Sequence, residues 1–98
     1  MVDSATNKPD VIIRLSAPLS ERIGSRGEIA VQGNNIEECL QAASIKFPEL
    51  KKIIWPESDQ VNPAILIFYK EEIVKEHELT CVVTGGDQID VIPAISGG

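Results

Sequence analysis

Residues 33–48 read GNNIEECLQAASIKFP, and the recurrence of apolar side chains in them decides the fold. Ile36, Cys39, Leu40, Ala43 and Phe47 stand three and four positions apart, the period that lines one side of an α-helix. Asn35 supplies a side-chain acceptor for an amide of the first turn. Glu37 and Glu38 complement the positive helix end, and Pro48 stops propagation because it lacks an amide donor. The spacing predicts one amphipathic helix with a face to bury.

The segments on either side change period. Upstream, DVIIRLS (10–16) places Val11, Ile13 and Leu15 on one face, and EIAVQ (28–32) alternates Ile29 and Val31 against polar neighbours. These read as an antiparallel pair of strands. The segment between them, APLSERIGSRG (17–27), holds a proline and two glycines and reads as a connection. Downstream, ELKKIIW (49–55) is expected to add a further turn or two of helix, and PESDQVNP (56–63) a loop bracketed by prolines. The run AILIFY (64–69) reads as a strand with Ala64, Leu66 and Phe68 inward. After the charged turn KEE (70–72) come Ile73 and Val74. TCVVTGGDQIDVIPA (80–94) then contains a turn at 85–87 and a last strand through Ile89 and Val91.

One helix among four or five strands predicts an α+β layer, a mixed sheet packed on one main helix. The expected core is Ile13, Leu15, Leu40, Phe47, Leu66, Phe68 and Val91. The expected organisation is a loose arm at 1–9, one domain at 10–93 and an extended tail at 94–98. A chain of 98 residues is enough for one such domain with a small core.

Composition removes several classes of function. The net charge of −6 and the pI of about 4.6 oppose binding to nucleic-acid phosphates or anionic lipid. The longest apolar run falls far short of the roughly 20 residues of a membrane helix. The opening residues MVDSATNKPD lack the basic and apolar segments of an export signal, so a cytoplasmic location with Cys39 and Cys81 reduced is expected. One histidine, His77, in the charged stretch KEEIVKEHEL, and two distant cysteines do not make a zinc site, and no metal is expected. Nucleotide-binding glycine motifs are absent, and TGGDQ (84–88) is more simply a turn. Cys39 on the helix stripe and Cys81 in an apolar run are expected to behave as small hydrophobes. Adjacent acids such as Glu71 and Glu72 do not converge on one point. No enzyme active site is expected.

What remains is the terminus, Ala94, Ile95, Ser96, Gly97 and Gly98. Pro93 donates no amide, so pairing is expected to end there, and the residues after it diminish to two glycines that can thread a channel too narrow for a β-carbon. Two specified glycines arise by chance in roughly 0.5 % of chains, and their setting adds to the signal. GGDQIDVIPAISGG (85–98) closely resembles the ending of the MoaD/ThiS-like sulfur carriers, a branch of the ubiquitin-like β-grasp proteins. VIIRLS, the stretch from EIAVQ to FPEL, and AILIFYKEEIV resemble the family's remaining strands, helix and turn. Lys70 departs from it, standing where many members carry asparagine.

The resemblance implies a chemistry. A carboxylate is a poor electrophile at neutral pH and needs a leaving group before it will react. In the family, an adenylating enzyme of the MoeB/ThiF type spends ATP on the terminal glycine, and sulfur transfer then gives a thiocarboxylate. Gly98 would be the modified residue, residues 94–97 would be the partner-binding tail, and the carrier itself would hold no cofactor. The expected sulfur acceptor is the large subunit of molybdopterin synthase. Carriers for cysteine, homocysteine or thiazole synthesis stay open, as does a protein modifier joined to lysines or a binding module with an inert terminus.

Overall fold

The computed structural model describes residues 8–57 and 60–94. Strand β1 (Asp10–Leu15) pairs antiparallel with β2 (Glu28–Gln32), bringing Val11 opposite Val31 and Ile13 opposite Ile29. Both pairs face inward. On its other side β1 runs parallel to β5 (Gln88–Pro93), which pairs antiparallel with β3 (Ile65–Tyr69), and a two-residue β4 (Glu72–Ile73) closes that edge. The order β2-β1-β5-β3-β4 makes the C-terminal strand the centre of a mixed five-stranded sheet.

Three α-helices accompany the sheet among the described residues: α1 (Ala17–Ile23), α2 (Ile36–Lys46) and α3 (Pro48–Ile54). The cap of α2 is the expected one, with Asn35 Oδ1 accepting the Glu38 amide at 2.8 Å. Its stripe of Ile36, Cys39, Leu40 and Ala43 is buried, with Phe47 half-buried beside it. Pro48 both ends α2 and opens α3, a first-turn position where its missing donor costs nothing. Leu50, Ile53 and Ile54 of α3 enter the core, and Asn62 finishes the helix by donating to the Ile53 and Ile54 carbonyls. Residues 48–54 thus form about two turns of helix, as the sequence suggested, and those turns contribute to the core.

Two sequence expectations need correction here. The connection at 17–27 contains a helix: Pro18 sits in its first turn, Leu19 is buried, and Gly24 at φ +74° forms a left-handed cap that a β-carbon would strain. Proline and glycine there punctuate a helix instead of replacing one. The second correction concerns β3. Ile65 and Ile67 point into the core, while Leu66 and Phe68, together with Ala64 before the strand, do not belong to it. The run is apolar in both phases of the period-two alternation, so alternation has no preference between faces. Pairing chooses: Ile67 stands opposite Val91 and Phe68 opposite Asp90, and it is Ile89 and Val91 of β5 that are buried.

The two thiols also separate. Cys39 is buried, and burial pushes its thiol up to about 11. Cys81 is exposed, contrary to its apolar sequence context, because the segment after the short 3-10 helix at Glu76–Glu78 makes only an isolated bridge, between Asn35 and Val82, and buries Val83 instead. No helix among the described residues is long and apolar enough to cross a membrane. No group of three metal-binding side chains occurs among them.

Candidate functional site

The site is built around the course of β5. A tight turn at 84–87 launches it. Asp87 Oδ2 accepts from the Thr84 amide (2.8 Å) and hydroxyl (3.0 Å), and from the phenol of Tyr69 at the end of β3 (2.5 Å). Gly86, at φ +89°, directs its amide to the Asp10 carbonyl at 2.8 Å. The phenol bond, followed by the Thr84 amide, holds the Asp87 carboxyl below its ordinary range. Burial, reinforced by the same bond, pushes Tyr69 up to about 12. One carboxylate thus fastens turn, β3 and the start of β5 together.

The far end of β5 is released stepwise. β1 lets go first: Ser16 donates to the Val91 carbonyl at 3.2 Å, and the chain then turns away into α1. β3 stays longer. Ile65 is opposite Pro93, and the Ala94 amide donates to the Ala64 carbonyl at 2.8 Å. Pairing therefore passes Pro93, where the sequence suggested it would stop. The amide that proline lacks lies on the β1 side, where β1 has already ended, so no ladder bond is lost. Ala94 is half-buried beside the sheet. Ile95, Ser96, Gly97 and Gly98, assigned to the tail and its reactive end, lie outside the described residues.

Around this exit is a sheet face that no helix covers among the described residues. Ile12, Leu66, Phe68 and Ile92 are half-buried on it. Beside them Arg14 reaches Asp90 (3.7 Å) and Gln88 Oε1 (3.1 Å). A shallow groove of about 260 Å³ is lined by Arg14, Leu15, Ser16, Phe68, Asp90 and Ile92. Ser16 Oγ is buried there and has no hydrogen-bond partner among the described residues. Sequence reasoning had put Leu66 and Phe68 in the core and gave no role to Arg14, Ser16, Asp90 or Ile92. The signal that could have found them is β5 itself: with Ile89 and Val91 inward, Asp90 and Ile92 must face out.

The sequence model of the ThiS family matches residues 13–98, from β1 to the last glycine. The chain belongs to the ThiS family. Members are small sulfur carriers and ubiquitin-like modifiers on a β-grasp fold, and such carriers are substrate subunits handled by other enzymes. Solved structures share the fold at low identity. The solution structure of small archaeal modifier protein 1 from Methanosarcina acetivorans matches with a TM-score of 0.80 and 24 % identity, over 93 % of this chain and 98 % of that one. CysO in the Amycolatopsis orientalis BexX/CysO complex gives 0.75 at 18 %, over 90 % and 99 %. A chain of the complex of subunits 1 and 2 of molybdopterin-converting factor from Helicobacter pylori gives 0.61 at 19 %, over 91 % and 99 %. The last two are complexes with partner proteins. No curated protein matches the chain. ThiS-family membership draws attention to the central strand and the glycines beyond it.

Proposed function

We propose that this ThiS-family protein is a sulfur carrier whose Gly98 carboxylate is adenylated by an ATP-using partner and converted to a thiocarboxylate. The observation that carries the reading is the course of β5, a central strand fastened at its start and released at its end directly into the sequence AISGG. In the first step the carboxylate attacks ATP, forming an acyl adenylate and expelling pyrophosphate. In the second, sulfur at the sulfide level (HS⁻) attacks the carbonyl carbon, the bond to AMP breaks as the carbon–sulfur bond forms, and loss of the proton leaves the thiocarboxylate. The carrier supplies the acyl group and no catalytic side chain, and ATP belongs to the partner.

The uncovered sheet face serves as the dock on which that partner, of the adenylating MoeB/ThiF type, positions the tail. Four residues past Ala94 reach at most about 14 Å, so the active site that takes Gly98 must sit close to this face. Phe68, Leu66 and Ile92 offer apolar area there, and Arg14 with Asp90 offers polar orientation. For the acceptor of the sulfur we put the large subunit of molybdopterin synthase first. The segment 51–63, which thiazole-type carriers lack, speaks against that branch, since α3 and Asn62 tie part of it to the core, and carriers for cysteine or homocysteine synthesis are the alternative.

The test is mass spectrometry after incubation with ATP, an adenylating partner and a sulfur source. A gain of about 16 Da on the C-terminal peptide, oxygen replaced by sulfur, is the expected result. A peptide that a competent partner leaves unchanged ends the carrier reading. Mixing the thiocarboxylate form with a molybdopterin synthase large subunit and precursor then tests the acceptor.

A further inference from the structure

Strand β2 is one edge of the sheet, and its register fixes which of its backbone groups are free. Leu15 donates to the Gly27 carbonyl (2.8 Å) and Gly33 to that of Pro9 (3.2 Å), with Ile13 opposite Ile29 and Val11 opposite Val31 between them. An antiparallel ladder alternates, so Ile29 and Val31 spend their amides and carbonyls on β1 while Glu28, Ala30 and Gln32 turn theirs outward. The other edge, β4, has only two residues, which leaves β2 as the edge long enough to template another strand. Yet its central acceptor is occupied. Lys46, in the last turn of α2, donates Nζ to the Ala30 carbonyl.

We propose that Lys46 is a latch on this edge and that the strand it excludes is β2 of a second copy of the chain. Antiparallel pairing about a two-fold axis at Ala30 sets Ala30 against Ala30 and Glu28 against Gln32 in both directions. Every outward amide and carbonyl of these three residues is then used, no like charges face each other, and only methyl groups meet at the axis. Of the carboxylates nearest the seam, Asp10 already accepts from Gln32 Nε2 at 2.8 Å, and Glu28 stands in register with a cationic residue, Arg14. The central pair requires the two Ala30 carbonyls, and these are the groups the two Lys46 ammoniums hold. Being two strands away from β5, the latch is independent of the tail's chemistry.

The experiment is sedimentation equilibrium on the full chain, paired with amide hydrogen exchange. The wild type is expected to be monomeric, with fast exchange at Glu28, Ala30 and Gln32. Lys46→Ala removes one charged hydrogen bond per copy and should tighten self-association at least about tenfold, with those three amides slowed in the dimer. Adding Ala30→Pro should restore the monomer, since its missing donor faces outward and leaves the β1 ladder whole. The exchange pattern of Lys46→Ala decides the matter even if the proline variant folds poorly. A Lys46→Ala protein that stays monomeric overturns the proposal, as does a dimer that leaves the three amides fast or survives Ala30→Pro. A wild type already paired through this edge overturns the latch. Uptake of an added acidic strand peptide by a variant that stays monomeric alone overturns the choice of occupant.

Discussion

The two ends of β5 are built on opposite principles. At the start, one carboxylate accepts three hydrogen bonds from Thr84 and Tyr69, and the strand begins locked between two neighbours. At the end, β1 departs after Val91, β3 after Ala94, and the next residues of the sequence have ever smaller side chains. The difference teaches how a small domain presents a reactive terminus without spending stability on it. The strand's position is fixed by its fastened end and its buried middle, Ile89 and Val91, so its placement in the sheet does not depend on the residues beyond Ala94.

The strongest way to break this contrast is to cut the released end. Removing Gly97 and Gly98 should abolish thiocarboxylate formation while leaving the melting temperature nearly unchanged, because the ladder and buried core seen among the described residues are complete without them. Appending one alanine after Gly98 shifts the carboxylate by roughly 3.3–3.6 Å and should lower the rate by about a hundredfold or more. Both readings come from a melting curve and the mass assay run on each variant. A truncated chain that accepts sulfur at its new terminus as fast as the original would remove the role given to the glycines.

Next in size is the buried middle. Ile67 packs on the helix side of β3 opposite Val91, and Ile67→Ala should cost about 2–5 kcal/mol by urea unfolding. Phe68→Ala, one residue on and facing away, should cost clearly less while weakening the productive encounter with the adenylating partner. Equal costs for the two would mean that the faces of β3 are wrongly divided.

That division marks the limit of what the sequence made legible. The α2 stripe, its Asn35 cap, the β1–β2 pair and the Gly-Asp turn each carry a local signal of period, cap or turn residue, and each is where reading placed it. The phase of β3 has no local signal, since Ile65, Leu66, Ile67 and Phe68 are all apolar and only the register with β5 distinguishes them. The docking face was hidden with it. Helix α1 was concealed differently, because Pro18 and Gly24 are breakers in a helix interior yet ordinary at its two ends. Pro93 was read as a stop from its missing donor, whereas the side on which that donor is missing, a tertiary fact, decides the outcome.

The fastened end should show a moderate, pH-dependent effect. Asp87→Asn leaves an amide where a carboxylate accepted three bonds, and it should cost about 1–2 kcal/mol, toward the low side for charged hydrogen bonds because the turn is partly open to water. The Asp87 carboxyl is held below its unfolded value, so its contribution is fully present above about pH 4 and is lost as pH falls through the folded value. The gap between wild type and variant should accordingly be constant from pH 5 to 7 and close on acidification. A gap that widens toward low pH would show that the ionised form is not the one the turn holds.

The smallest expected effect is a gain, and it lies beside the fastened end. Lys70 and Glu71 link β3 to β4 with φ of 53° and 68°, a two-residue turn with both central residues left-handed, for which asparagine and glycine are the favoured occupants. Lys70 has some recompense, its ammonium lying 5.4 Å from the centre of the Tyr69 ring. Glu71 is exposed and has no hydrogen bond or ion pair among the described residues. Glu71→Gly removes a left-handed penalty of about 1–2 kcal/mol and gives back about 0.5–1 kcal/mol through the freer unfolded chain. The net should be a stabilisation of about 0.5–1 kcal/mol, a rise of roughly 2–8 °C in melting temperature for a domain of this size. Lys70→Gly forfeits the ring contact and should gain less. Because the turn lies at the end of β3 remote from Ala94, thiocarboxylate formation should proceed at the wild-type rate in both. A Glu71→Gly protein that melts lower would mean that Glu71 makes a contact worth more than the strain it carries, and a changed rate would mean that the two ends of β5 are coupled.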